Sequence, residues 1–336
     1  MQAAAGERKA KTGKGASRSS HSPMGYWHRR PGGVSLPGTI PIPPMPSIFN
    51  YGSINIDDVY RVPHFVRPGE TLASLGFTRG AGGKGFNQSV ALARAGATVR
   101  HVGRYGPEAA WLRDRLAAEG IDVRGLLPSD LPAGRALIQV DDRGENAIVL
   151  CAGANHALTP DDLPPLLAEA GPGDWFVTQN ETSAVSEALS LAHTRGLTVC
   201  FNPAPMTGAV RDYALDAVDW LIVNETEGEA LSGETAPPEV LRALRRRCPR
   251  AHLVLTLGAE GVRCLAPDGE EAVVPALRVT PVDTTAAGDS FIGYLLAARL
   301  RGTALEEALR QACRAAALSV TRPGAAESIP RLAEIS

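Results

Sequence analysis

The sequence lacks three features: an excess of charge of one sign, paired cysteines and a long apolar run. Its formal net charge of −2 gives no reason to expect nucleic acid or an acidic membrane as a partner. No apolar stretch approaches the ~20 residues needed to span a bilayer, and no apolar segment near the N-terminus is typical of a secretory signal. We therefore expect neither a membrane protein nor a secreted one.

The five cysteines are scattered, with no CxxC pair and no spacing typical of metal ligands. Free thiols in a cytoplasmic enzyme explain this pattern better than a disulfide framework, because disulfides persist mainly in oxidising compartments. The cysteines are Cys151, Cys200, Cys248, Cys264 and Cys313.

Residues 1–46 differ in composition from the rest of the chain. They are rich in Gly, Ser, Pro and basic residues, and Glu7 is their only acid. An Arg- and Ser-rich segment with few acids is also typical of a transit peptide. The proline cluster at 41–46 and the lack of an amphipathic helix instead favour a disordered basic extension, with Met24 or Met45 as the natural start.

From residue 47 onward the pattern predicts one α/β domain, residues 47–332. Short apolar strands alternate with helices between residues 175 and 261, which favours a mostly parallel central sheet covered by helices on both faces, a three-layer αβα sandwich. Two segments stand outside this alternation, at about 56–80 and 134–152. The second has a hairpin pattern, and together they predict a small accessory sheet.

Polar residues follow several of the predicted strands. Asn55 and Asp57 follow a first strand at 48–54, Glu181 follows a strand at 175–178, and Asn224 and Glu227 follow one at 220–223. In open α/β sheets, ligands bind beyond the carboxyl ends of the strands. We therefore expect these side chains to converge at one edge, although Asn and Asp are also common in plain turns.

Two glycine-containing segments each precede a predicted helix. Residues 80–88 (GAGGKGFNQ) permit close backbone approach, but Gly85 follows the lysine where a P-loop needs Ser or Thr. Residues 283–291 (DTTAAGDSF) come after a short extended segment at 277–282. Their free N–H groups predict an anion site, and Asp289 is either a general base for a hydroxyl or an ordinary helix cap.

The order of eight motifs resembles the ribokinase-like carbohydrate kinase family over residues 47–332. The GGKGxN and DTTAAGD pair is highly specific to that family. The motifs are 53–57 (SINID), 68–71 (PGET), 82–88 (GGKGFNQ), 153–155 (GAN), 202–205 (NPAP), 224–227 (NETE), 283–291 (DTTAAGDSF) and 320–325 (VTRPGA).

The resemblance implies ATP-dependent transfer of the γ-phosphoryl group to a primary hydroxyl, O5 of D-ribose. Asp289 would be the general base, and the amides of Ala286, Ala287 and Gly288 would stabilise the developing charge. The sugar contacts that it implies are Asn55, Ile56, Asp57, Gly83, Lys84, Gly85, Phe86, Asn87, Glu181 and Asp289. The ATP contacts that it implies are Asn224, Thr256, Leu257, Gly258, Ala259, Glu260, Gly261, Gly288, Asp289 and Cys313.

The resemblance also implies two metal ions and a homodimer. Glu227 would hold Mg²⁺ through water, since Mg²⁺ keeps several of its waters. A K⁺ ion would lie beside the anion site, and Arg322 would offer only its carbonyl. The implied K⁺ positions are Asp283, Thr285, Ser319, Arg322, Gly324 and Ser328. The accessory strands would form a lid over the sugar, and two such lids would join the subunits.

Three positions depart from the family pattern: Phe86, residues 106–108 (GPE), which stand where an Asp-containing turn is common, and Cys313. Phe86 replaces a small residue, so it either crowds the sugar pocket or packs under the helix. Cys313 stands where a histidine on the adenine side is common. Alternatives therefore stay open: a kinase for deoxyribose, another sugar or a nucleoside, or a non-catalytic sugar or nucleotide sensor.

Overall fold

A computed structural model of the protein describes residues 46–335. The predicted N-terminal extension, residues 1–46, lies outside the described residues except for Pro46. Its predicted disorder stays a prediction.

The described residues form strands, α-helices and short 3₁₀ turns in alternation. The strands are β1 (Ser47–Tyr51), β2 (Asn55–Arg61), β3 (Gly76–Gly82), β4 (Thr98–Tyr105), β5 (Leu126–Pro128), β6 (Gly134–Val140), β7 (Asn146–Cys151), β8 (Trp175–Gln179), β9 (Thr198–Asn202), β10 (Trp220–Asn224), β11 (His252–Thr256), β12 (Val262–Leu265) and β13 (Glu271–Val274). The α-helices are α1 (Lys84–Arg94), α2 (Ala110–Ala118), α3 (Leu163–Leu166), α4 (Val185–Thr194), α5 (Glu225–Ser232), α6 (Pro237–Arg247), α7 (Ala287–Leu300) and α8 (Leu305–Ser319). None of these helices within residues 46–335 is both long and apolar enough to cross a bilayer.

The large sheet has nine strands in the order β13-β12-β11-β10-β9-β8-β1-β4-β5. Every neighbouring pair from β11 to β5 is parallel, whereas β12 and β13 form an antiparallel edge. The predicted mostly parallel sheet is therefore confirmed. Because parallel strands end at the same edge, the polar residues that follow β8, β9 and β10 are collected there.

Alternate residues of the parallel strands contribute to two separate cores, one on each face of the large sheet. Ile222 of β10 packs in one core with apolar residues of α1, α2, α7 and α8. Its neighbours Leu221 and Val223 pack in the other core with residues of α3, α4, α5 and α6. Helices thus cover both faces, which confirms the predicted three-layer arrangement.

The small sheet has four strands in the order β3-β2-β6-β7, which leaves β3 and β7 as its edges. β2 pairs antiparallel with β3 and parallel with β6, and β6 forms the predicted hairpin with β7. The buried carboxylate of Asp58 on β2 pairs with Arg79 on β3 (2.7 Å) and Arg135 on β6 (2.8 Å). Side-chain ion pairs therefore join three of the four strands.

The prediction that the first strand runs to Ile54 is wrong. β1 ends at Tyr51, and Asn55 begins β2 of the small sheet. Between the two sheets the chain is fixed by other partners: the N–H of Gly52 donates to the carbonyl of Val102 (3.1 Å). A single apolar stretch is therefore divided between two sheets.

The extended segment predicted at 277–282 pairs with no strand of the described part. The N–H groups of Val282 and Asp283 instead donate to the carbonyl of Val320, which follows α8 (2.7 and 3.2 Å). The antiparallel strands β12 and β13, which were not predicted, occupy the edge of the sheet before this segment. The segment, which leads into α7, is thus hydrogen-bonded to the residue that follows α8.

Candidate active site

A pocket of about 220 Å³ lies at the carboxyl ends of β9, β10 and β11, beside the first turn of α7. Its lining includes groups of opposite charge and several polar side chains. Among the residues that line it are Lys84, Asn202, Asn224, Glu227, Thr256, Gly288 and Asp289. Of the five strand-end residues expected to converge, Asn224 and Glu227 line this pocket together with residues of both glycine-containing segments, whereas Asn55, Asp57 and Glu181 do not line it.

Asp289 lies in the first turn of α7 and is buried. Both of its carboxylate oxygens accept hydrogen bonds from amides of α1. Nδ2 of Asn87 donates to Oδ2 (3.1 Å), and Nε2 of Gln88 donates to Oδ1 (3.0 Å). The two glycine-containing segments, about 200 residues apart in the chain, thus meet at this carboxylate.

The backbone at the start of α7 is constrained. Ala286 has a φ of 59°, a left-handed conformation that is uncommon for a residue with a side chain. Of the three amides predicted for the anion site, that of Ala287 donates to the carbonyl of Thr284 (3.3 Å). The N–H groups of Ala286 and Gly288 have no acceptor among residues 46–335, so they are available to a bound anion.

Lys84 is the first residue of α1 and lies among three carboxylates. Burial alone lowers the pKa of its ammonium group, but Asp289, Glu181 and Glu227 outweigh that effect and leave the pKa raised. The backbone N–H of Lys84 donates to Oε2 of Glu181 (3.0 Å), which also accepts from the hydroxyl of Ser53 (2.5 Å). The ammonium group is therefore charged at neutral pH, and the negative charge of the surrounding carboxylates stabilises it.

Asp57 lies near the start of β2, and the charged groups that shift the pKa of its carboxyl are all acidic. Burial, and then the nearby Glu181, Glu327 and Asp58 carboxylates, raise its pKa to about 7. Its Oδ1 atom is buried and has no hydrogen-bond partner within the described residues. A methyl group on Gly82 would lie 2.0 Å from Oδ2, so glycine there leaves room for the carboxylate.

Asn55 is held by a residue that we did not predict as part of the site. Nδ2 of Asn155 donates to Oδ1 of Asn55 (2.7 Å), and Oδ1 of Asn155 accepts from the N–H of Ile54 (3.0 Å). Both asparagines are buried. The motif at 153–155 contained this signal, but no periodicity in the sequence shows that it contacts residues 100 positions away.

Four residues predicted to bind sugar have structural roles in this fold. Ile56 and Phe86 are fully buried in the core beneath α1, so Phe86 packs under the helix and does not crowd the pocket. Gly85 permits close contact of helix and strand, since a methyl group there would lie 2.5 Å from Cα of Gly52. Gly83 has a φ of 91° and starts the helix.

The predicted nucleotide residues divide into two groups. Asn224 caps α5: its side chain accepts from the N–H of Glu227 (2.8 Å), and Glu227 accepts in return from the N–H of Asn224 (3.0 Å). Glu227 is buried, which raises its carboxyl pKa. Thr256 follows beside them, and its hydroxyl donates to the carbonyl of Val223 (3.4 Å).

The second group lies beyond β11. Gly258, Ala259 and Glu260 form a 3₁₀ turn, closed by the N–H of Leu257 donating to the carbonyl of Gly261 (2.8 Å). Gly261 has a φ of 103°, and a methyl group there would lie 2.1 Å from the carbonyl of Val274. Cys313 is buried among apolar residues and does not line the pocket.

The predicted potassium loop is a compact turn between the start of α7 and the end of α8. The carboxylate of Asp283 accepts from the N–H groups of Thr285 and Gly324 (both 2.9 Å). The side chain of Arg322 pairs with Glu334 (2.6 Å). The hydroxyls of two further predicted residues also have internal acceptors: Ser319 donates to the carbonyl of Ala316 and Ser328 to that of Ala325 (both 2.8 Å).

Comparison with known proteins places the same pattern in one family. Residues 45–332 match the family described as pfkB family carbohydrate kinase. Ribokinase of Haemophilus influenzae is 37% identical over 290 residues, which cover 83% of this chain and 94% of that protein.

Solved structures give the same result. A ribokinase from Cryptococcus neoformans var. grubii serotype A, in complex with ADP, has a TM-score of 0.75 and 35% identity, covering 86% of this chain and 98% of that one. Arabidopsis thaliana ribokinase, complexed with ribose and ATP, has a TM-score of 0.77 and 26% identity, covering 86% and 97%. The fold is thus shared with these ribokinases along almost the whole described chain.

Proposed function

The chain belongs to the pfkB family of carbohydrate kinases, and we propose that it is an ATP-dependent ribokinase that forms ribose 5-phosphate. The γ-phosphoryl group of ATP passes to the O5 hydroxyl of D-ribose. The observation that carries this proposal is Asp289, a buried carboxylate held by two amides beside Lys84 and the open end of α7. The similarity to ribokinases favours ribose as the sugar.

In this proposal Asp289 accepts the proton of the attacking hydroxyl. The oxygen then attacks the γ-phosphorus in line with the departing ADP. The free N–H groups of Ala286 and Gly288 and the positive end of α7 stabilise the charge on the phosphoryl oxygens. Lys84 adds a cation on the same side of the pocket.

The sugar is bound by Asn55, Asp57, Lys84, Asn87 and Glu181. Pentose hydroxyls need acceptors and donors together, and carboxylates, amides and an ammonium group supply both. The unpartnered Oδ1 of Asp57 supports this assignment, because a buried acceptor without a partner costs stability unless a ligand satisfies it. The small sheet closes over the sugar as a lid and excludes water.

ATP lies on the side of Asn224, Thr256 and the turn at 257–261, with Gly288 and Asp289 facing its phosphates. Glu227 fits a site that holds Mg²⁺ through water. Its carboxylate is buried at the pocket, and both of its oxygens already accept hydrogen bonds from Asn224, one from the backbone N–H and one from Nδ2. Mg²⁺ held there would neutralise negative charge on the phosphates of ATP. Cys313, in the apolar core, contributes at most to the wall of the adenine side.

The loop of Asp283, Thr285 and Gly324 fits a potassium ion held by backbone carbonyls. The carboxylate of Asp283 already accepts from two N–H groups, and the Arg322 guanidinium is turned toward Glu334. The ligands that remain for the ion are the backbone carbonyls of these residues, of Ser328 and of Ser319, the last of which also accepts from the N–H of Arg322 (3.1 Å). These carbonyls would hold K⁺ through their oxygens, which would stabilise the loop that carries Ala286.

We further propose a homodimer joined through the small sheet, in the cytoplasm. The edge strand β7 exposes three consecutive apolar residues, Ile148, Val149 and Leu150. An exposed apolar edge strand is an aggregation hazard unless another chain covers it, and a second copy offers a matching surface. The five cysteines are all free, which supports a reducing compartment.

The direct test is a coupled assay of ADP formation with D-ribose, 2-deoxyribose, fructose and adenosine as acceptors. We expect D-ribose to give the highest kcat/KM. A preference for adenosine or 2-deoxyribose would reassign the substrate within the family, and no turnover with any acceptor would favour a non-catalytic sensor.

A further inference from the structure

A chain of buried side-chain amides ends at Asp289, and its members Asn50, Gln88 and Gln179 do not line the pocket. Nε2 of Gln179 donates both to Oε1 of Gln88 (2.7 Å) and to Oδ1 of Asn50 (3.0 Å). Nδ2 of Asn50 donates to the carbonyl of Gly85 (2.8 Å) and to the hydroxyl of Ser89 (2.8 Å). Gln88 and Asn50 are fully buried and Gln179 is 1% exposed, so this chain has no exchange with solvent.

The hydrogen bonds between these amides can run from donor to acceptor in only one direction. The carbonyl of Gly85 can only accept, so Nδ2 of Asn50 faces it and Oδ1 of Asn50 faces Gln179. Gln179 therefore donates on both sides, and Gln88 presents its Oε1 to Gln179. The remaining end of Gln88, its Nε2, must then face Asp289 as a donor. A backbone carbonyl thus determines which way the amide beside the carboxylate points.

We infer that Gln88 is the positioning residue of the base: it fixes the rotation of the Asp289 carboxylate so that one oxygen is aimed at the attacking hydroxyl. This inference rests on the proposed kinase function. The terminal torsion of an aspartate is broad and poorly fixed by its rotamer. Asn87 holds one oxygen and Gln88 the other, and together they restrict that torsion.

Gln88 differs from Asn87 in a way that makes it testable. Asn87 is one of the residues that we propose bind the sugar, so we expect its loss to change both binding and catalysis. Gln88 is fully buried and its amide contacts other protein side chains, namely Asp289, Gln179 and, at 3.4 Å, Asn202. Its replacement should therefore lower kcat and leave the binding of both substrates unchanged.

The test compares Gln88→Met with the control Ser290→Ala. Ser290 is the neighbour of Asp289, fully buried, and its hydroxyl has no partner within the described residues. Methionine keeps the volume of glutamine without its donors. We expect kcat to fall about 10- to 100-fold, the cost of one hydrogen bond to a charged group. The KM values for sugar and ATP should change by less than about twofold, and Ser290→Ala should behave like the wild type.

A second pair of variants removes the dependence on one substitution. Gln179 contacts neither Asp289 nor the pocket. Its replacement in Gln179→Met removes the hydrogen bond that holds the amide of Gln88, so we expect a smaller fall in kcat at unchanged KM. Gln88→Glu keeps the shape and the acceptor for Gln179, but sets a carboxylate against Asp289 and should lower kcat at least as much as Gln88→Met. Unfolding temperatures and ADP binding verify that each variant is folded.

An unchanged kcat in folded Gln88→Met or Gln88→Glu overturns the inference. A raised KM at unchanged kcat does so as well, because it would make Gln88 a binding residue, and an equal loss in Ser290→Ala would point to packing alone. Asp289→Asn is measured alongside. Near-normal turnover there refutes the base and the proposed function, whereas its loss together with normal Gln88 variants refutes only the positioning role.

Discussion

In the large sheet, helices cover both faces and the central parallel strands are largely buried, whereas only Leu126 of the edge strand β5 is buried. The small sheet has exposed apolar residues on its edge strand β7, and the ion pairs of Asp58 add side-chain contacts across three of its strands. The pocket lies at strand ends of the large sheet, beside Asp289 and the start of α7. The small sheet carries Asn55 and Asp57, which we propose bind the sugar.

The contrast also exists within one strand. Asp57 and Asp58 are neighbours on β2, so their side chains point to opposite faces. Asp58 is paired with two arginines, whereas Asp57 faces other carboxylates with one oxygen unpartnered. Ion pairs therefore stabilise one face of the strand. The other face, which is assigned to the sugar, carries an unfavourable carboxylate charge.

The largest expected effect is that replacing these two aspartates changes the free energy of unfolding in opposite directions. A carboxyl group whose pKa folding raises to about 7 stabilises the fold below its ordinary pKa of 3.8, and that contribution is lost as the pH rises through about 7. At pH 8 we expect Asp57→Asn to raise the free energy of unfolding of the ligand-free protein by about 2–4 kcal/mol, and at pH 4 to leave it unchanged.

The matched variant is Asp58→Asn, which should lower the free energy of unfolding at pH 8 by about 3 kcal/mol because it leaves two arginines without their buried partner. Denaturant titrations at both pH values give the comparison. Equal effects of the two substitutions would show that the faces of β2 do not differ as described.

A smaller effect is expected when the space for Asp57 is removed. Gly82→Ala places a methyl group against the Asp57 carboxylate, so we expect the KM for the sugar to rise about 10-fold or more, the cost of displacing one charged contact. Gly80→Ala, two residues earlier on the same strand, meets no atom within 4 Å and should leave KM unchanged. Steady-state kinetics decide this, and equal KM values for the two variants would contradict the assignment of Asp57 to the sugar.

The edges of the two sheets give a third test. Val149→Lys on β7 puts a charge on the proposed dimer contact, and we expect the dimer to dissociate at least about 10-fold more readily. Val273→Lys on β13, an equally exposed edge residue of the large sheet, should leave the oligomeric state unchanged. Sedimentation velocity measures both, and dissociation caused only by Val273→Lys would move the interface to the other sheet.

The smallest effect concerns the loop at the start of α7. Replacing K⁺ by Na⁺ should lower kcat a few-fold, about 1 kcal/mol of lost loop stabilisation, with little change in the KM for sugar. Assays at constant ionic strength measure it. Equal rates in the two salts would argue against a cation at the carbonyls of Asp283 and its neighbours.

Much of this architecture could be predicted because its causes are local. Alternation of apolar strands and helices reports a buried parallel sheet, and small residues before α1 and α7 report helix starts near a ligand. The edge strands β12 and β13 were missed because each has only four residues, too few for a period to be recognised.

The roles of Gln88 and Asn155 could not be predicted for a different reason. Each orients a side chain far away in sequence, 201 and 100 residues respectively, and no local pattern specifies such a pairing. The same limit applies to Phe86: its size was visible in the sequence, but whether it faces the pocket or the core depends on how α1 packs on the sheet.

The central claim, that Asp289 is the base that deprotonates the sugar hydroxyl, is tested most directly by Asp289→Asn. The variant keeps the shape of the side chain but cannot accept the proton. We predict a fall in kcat of about 10³-fold or more with D-ribose, with ATP binding, measured by calorimetry, unchanged. Turnover within a few-fold of the wild type would contradict the account.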